Sequence, residues 1–83
     1  MVIYLYKMKE GKHMKAREIL IALHIKHNGN WDKIYEDIRN RNTENIEDYI
    51  KDYDEDNLND FVTIIDEDYP ERLKQRFKPP FVI

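Results

Sequence analysis

The chain has 83 residues, enough for one small domain that buries roughly 60–65% of its unfolded surface. Apolar content of 41% excludes a disordered chain, while 37% charged residues leaves only a thin core. The absence of cysteine excludes disulfide staples and thiolate metal sites and fits a reducing, cytoplasmic setting.

Val2-Ile3-Tyr4-Leu5-Tyr6 is too short for a membrane span and lacks the order of a signal peptide. These residues have strand propensity, yet Ile3, Tyr6 and Glu10 would also line one side of a helix. Gly11 closes the element. Residues 13–27 predict a helix carrying two apolar stripes, Ala16, Ile19, Leu20, Leu23 and His27, then Met14, Ile21 and Ile25. A helix apolar over so much of its circumference is central to its own core or to a subunit interface. Asn28-Gly29-Asn30 is a turn, with Gly29 suited to a left-handed C-cap and Asn30 to the next N-cap.

Trp31, Ile34, Tyr35 and Ile38 fall at i, i+3, i+4 and i+7 and predict an amphipathic helix of about ten residues. A polar break at 40–43 offers Asn42 or Thr43 as the next cap. Ile46, Tyr49, Ile50 and Tyr53 repeat the pattern and predict a third helix over about 44–54, followed by a solvated hinge at 54–57. The aromatic set Trp31, Tyr35, Tyr49 and Tyr53 reads as core, since each ring lies on an apolar stripe.

Phe61 to Ile65 is apolar apart from Thr63 and rich in β-branched residues, as a strand buried on both faces should be. Asp68 and Glu71 have capping-box spacing, Pro70 presets a first helical turn, and Leu73 and Phe77 would share one helix face. Pro79-Pro80 stops the helix, and Phe81-Val82-Ile83 resumes an extended run. The expected fold is therefore α+β and mainly α. A bundle of three to four helices (1–55) precedes a β-α-β tail (58–83) with two short parallel strands, all in one domain, 1–83.

Charge is strongly segregated beneath a net of −3: +4 over residues 1–43, −11 over 44–71 and +4 over 72–83. The acidic middle argues against a free-standing nucleic-acid binder. The local exception is Arg72, Lys74, Arg76 and Lys78, which could contact single-stranded nucleic acid weakly. Helices 13–27 and 31–40 could form a helix-turn-helix, but the reading face would mix Lys33, Arg39 and Arg41 with Asp32, Glu36 and Asp37, a poor match to phosphate.

His24 and His27 have no recognisable third and fourth ligands, and Asp52, Asp54, Glu55 and Asp56 lack the glycine and distal glutamate of a calcium loop. No paired carboxylates in an apolar setting, nucleophile triad or phosphate loop is present. No catalytic, cofactor-binding or metal residue is expected. Homodimerisation or binding to another protein is expected instead, with Ile21, Ile25, Phe81, Val82 and Ile83 as candidate interface residues.

Ile64-Ile65-Asp66, Asp68-Tyr69-Pro70, Leu73 and Pro79-Pro80-Phe81-Val82-Ile83 resemble, in order and spacing, the DprA/Smf DNA-processing family where its helical N-terminal region meets its Rossmann-like domain. The resemblance covers about 23 residues well and implies a helix over 2–10 and a context in DNA metabolism. That family protects single-stranded DNA and loads recombinase, binding DNA through a glycine-containing, arginine-bearing loop. The residues present stop short of that loop, so no DNA-contacting residue is carried over. The expectation is a truncated DprA-like N-terminal module, non-enzymatic and acting through protein contacts.

Overall fold

The computed structural model describes residues 14–83; the expected helix over 2–10 lies outside the described residues. Among the described residues four α-helices follow in chain order: α1 (Ala16–Lys26), α2 (Trp31–Asn40), α3 (Glu55–Asn59) and α4 (Glu71–Lys74), with a 3-10 turn at Ile46–Tyr49 between α2 and α3. Helix α1 is the centre of the core. Ile19, Leu20, Ile21, Ala22 and Leu23 are all buried, which is the outcome its two stripes require. Ile34 and Ile38 of α2, Ile46 and Ile50 around the 3-10 turn, and Val82 close over it.

The α1–α2 turn forms as its residues dictate. Asn28 and Gly29 take φ of 53° and 80°, the left-handed region that Gly and Asn tolerate best. The Asn30 side chain accepts the Lys33 N–H at 3.1 Å and caps α2.

The predicted third helix over 44–54 does not form as a continuous element. Its core-facing residues Ile46 and Ile50 are buried, but the backbone makes only a 3-10 turn entered through left-handed Asn45, with φ of 58°. Electrostatics supplies a reason. Glu44, Asp48, Asp52 and Asp56 recur every four residues, so a continuous helix would stack like charges on one face. The helix forms later, in the predicted hinge, where Asp54 accepts the Asn57 N–H at 2.8 Å and caps α3. Tyr35, Tyr49 and Tyr53, expected in the core, are 46%, 41% and 38% exposed.

The parallel β-α-β tail is also corrected. No strand occurs among the described residues, and residues 62–64 meet 81–83 in an antiparallel sense through one isolated bridge, Thr63 with Val82. Val62 and Ile83 exchange N–H···O bonds of 3.3 and 2.9 Å, and Ile64 donates to the Phe81 carbonyl at 2.9 Å. A parallel return needs a crossover that carries the chain back along its own direction. Here α4 is a single turn of four residues, a rise of about 6 Å. Arg72/Arg76 and Lys74/Lys78 are like-charge pairs at i, i+4 that oppose its extension, and Pro79 disfavours helical geometry at Lys78. Phe77 therefore never joins Leu73 on a helix face. Asp68 does not cap α4 either; Pro70 occupies the N-cap position with no side-chain bond to it.

Candidate interaction surface

Three polar anchors hold the tail, two of them against the helices and one within the tail itself. At the first, the Arg17 guanidinium of α1 donates to Asp66 Oδ1 and Oδ2 (Nε to Oδ1 3.2 Å, Nη2 to Oδ2 3.3 Å) and to the Phe61 carbonyl (2.8 Å). The Thr63 N–H donates to Asp66 Oδ2 at 2.8 Å. Burial would raise the Asp66 carboxyl, but the Thr63 and Arg17 bonds outweigh it and hold it below the ordinary carboxylate range. The second anchor is Trp31 Nε1, which donates to the Pro79 carbonyl at 2.8 Å. Its ring stacks with Tyr35 at 5.0 Å and with Phe81 at 5.2 Å. The third is Tyr69, 3% exposed, whose hydroxyl donates to the Pro80 carbonyl at 2.6 Å. Burial pushes its phenol up, against the Arg76 charge.

These anchors fix both ends of residues 70–79 and leave the middle outside. Arg72, Lys74, Arg76 and Lys78 are all exposed, and Phe77 is 94% exposed among them. A phenylalanine left in water forgoes roughly 1.5–3 kcal/mol of burial, and Phe77 is the most exposed large apolar side chain among the described residues. Lys78 bonds Asp32 at 2.8 Å and lies 5.5 Å from the Trp31 ring centroid, and Lys74 reaches Glu71 at 3.9 Å. Both pairs are solvated and weak. Arg72 and Arg76 make no ion pair with any described residue.

The expected interface residues are distributed differently. Ile21 and Val82 are buried in the chain's own core, and Ile25 and Phe81 pack against it. Ile83 is 48% exposed. Beside this tail, His24, Gly29, Trp31, Lys78 and Phe81 border an open cleft of about 190 Å³. Burial lowers the pKa of His24, the one histidine of the cleft, whose ring meets Phe61 edge-on. Among the described residues no carboxylate lines the cleft beside it.

A second polar cluster joins α1 to α2. Asp37, placed by its sequence position on an exposed reading face, is 7% exposed and accepts from His27 Nε2 at 2.5 Å, Lys26 Nζ at 3.3 Å and Asn42 Nδ2 at 3.2 Å. Burial alone would raise its pKa, but the His27 and Lys26 bonds carry it below the ordinary value. Asp37 and Asp66 therefore contribute stability that is complete above their unfolded value of 3.8 and is lost as pH falls through the lower folded values. Melting temperature should hold from neutrality to about pH 5 and fall steeply below about pH 4, less steeply in the Asp37→Asn, Asp66→Asn double variant. A thermal melt series across pH reads this directly, and equal acid slopes in both proteins would contradict it.

Among the described residues no group of three or more His, Asp or Glu side chains is placed to hold a metal ion, and no helix is long and apolar enough to cross a membrane. No family model, curated protein or solved structure matches the chain. The motif residues do have a clear structural part: Asp66, Tyr69, Pro79 and Pro80 each take part in one of the three anchors. Sequence reasoning missed Arg17, a single charge inside an apolar stripe, and Phe77, whose exposure follows from the shortness of α4.

Proposed function

We propose that this chain is a small non-enzymatic interaction module, cytoplasmic and akin to the N-terminal part of DprA proteins, that works through protein–protein contacts in DNA processing or mobile-element biology. Its contact surface is the loop 71–78. One observation carries the reading: Phe77 is 94% exposed on a loop pinned at both ends, where its ring gains burial only when a partner covers it. Aromatic and arginine side chains are the residue types most often dominant in protein contacts, and both occur here. The DNA-processing setting rests on the sequence resemblance.

The same ring favours a second reading. A base-stacking side chain needs an exposed ring beside cations, and Phe77 stands between Arg76 and Lys78. The net charge of −3 and the acidic middle of the chain weigh against it. A photoreactive phenylalanine analogue at position 77, irradiated in the native cell, separates the two. Discrete adducts removed by protease support the module, and adducts shortened by nuclease support the nucleic-acid reading. No adduct of either kind would overturn both.

A further inference from the structure

Resting on the module reading above, we propose that the partner is a second copy of this chain, with the basic loop 71–78 of each copy docked on the acidic segment 44–60 of the other and Phe77 set against Tyr49 and Tyr53. The loop holds Arg72, Lys74, Arg76 and Lys78 against the single acid Glu71, and the segment holds eight acids against Lys51. The charged side chains of both, Glu47 apart, are solvent-facing. Asp48, Asp52, Asp54, Glu55, Asp56 and Asp60 are exposed and make no ion pair with any described residue.

The two surfaces also match in apolar content. The acidic segment carries half-exposed Tyr49 and Tyr53 among its carboxylates in sequence, and the loop carries exposed Phe77 between Arg76 and Lys78. Each copy thus presents a patch and its complement. A two-fold axis makes the contact twice and closes the assembly as a dimer; a single contact would leave one patch of each kind open at the ends.

Sedimentation velocity on the full chain tests this. The protein should associate to a dimer at about 50 mM salt and weaken about tenfold or more by about 500 mM, as screening shortens the reach of the charges. Phe77→Ala should weaken association about tenfold without altering the circular dichroism spectrum. The decisive arm uses two charge reversals. One replaces Arg72, Lys74 and Arg76 with Glu, sparing Lys78 and its bond to Asp32; the other replaces Asp52, Asp56 and Asp60 with Lys, sparing the Asp54 cap. Each variant alone should be monomeric, and their mixture should form the mixed dimer. A wild-type monomer at low salt, a dimer indifferent to salt and to Phe77→Ala, or reversed variants that do not combine would each overturn the proposal. If the purified chain stays monomeric while position 77 still cross-links to another protein, the module reading stands and the second copy falls.

Discussion

Trp31→Ala should destabilise the protein by about 3 kcal/mol, the low end for removing a large aromatic ring, because the ring is stacked but only partly buried. Trp31 is the hinge pin between α2 and the tail. Its ring stacks with both Tyr35 and Phe81, and its N–H is committed to the Pro79 carbonyl. Loss of the ring removes both stacked contacts at once and strands a carbonyl at the start of the 81–83 run. Trp31→Phe keeps an apolar ring but loses the hydrogen bond, and should cost about 1 kcal/mol beyond any lost packing. Chemical denaturation of the three proteins measures both steps. An unchanged midpoint in Trp31→Ala would place the ring outside the folded structure's energetics.

Asp66→Ala should cost about 2–4 kcal/mol, less than a fully buried pair because the Arg17 and Asp66 side chains keep 24% and 19% exposure. The mutation removes an acceptor from both the guanidinium and the Thr63 N–H, and leaves a partly buried cation facing the tail. Asp66→Asn retains one acceptor oxygen and should cost less. Arg17→Ala tests the other partner. In the double variant the two losses should be less than additive, since both remove the same contact. Strict additivity would show that each residue acts through separate neighbours.

Much of the helical half was legible in the residues because burial and periodicity agree there. Helix α1 needed no partner to be identified: its two stripes require burial on most sides, and the structure buries five consecutive residues of it. Helix α2 follows from Trp31, Ile34, Tyr35 and Ile38, capped by Asn30 as its position demands. The same apolar spacing at 46–53 misled, because periodicity records which residues face the core and not whether the backbone between them is a continuous helix. The charges every four residues from Glu44 to Asp56 held the missing information.

In the tail, Asp66, Tyr69, Pro79 and Pro80 were visible as a motif, but their role was not. They read as devices that turn, start and stop a helix, whereas most of their bonds reach across the chain. Arg17 lies 49 residues from Asp66, and no local pattern links them. The direction of strand pairing depended on the length of α4, which like-charge spacing from Arg72 to Lys78 limits. That limit also set Phe77 outside the fold and made it the centre of the candidate surface.

The tail folds back antiparallel onto residues 62–64 and so projects the loop between them. Two-dimensional NMR tests it at one pair of protons. Thr63 and Val82 face each other between the hydrogen-bonded positions, where antiparallel geometry brings the two Cα atoms to about 4.5 Å. A strong cross-peak between the Hα protons of Thr63 and Val82 is the predicted result. Its absence, with contacts instead in the staggered pattern of a parallel pair, would contradict the fold of the tail and the loop surface that depends on it.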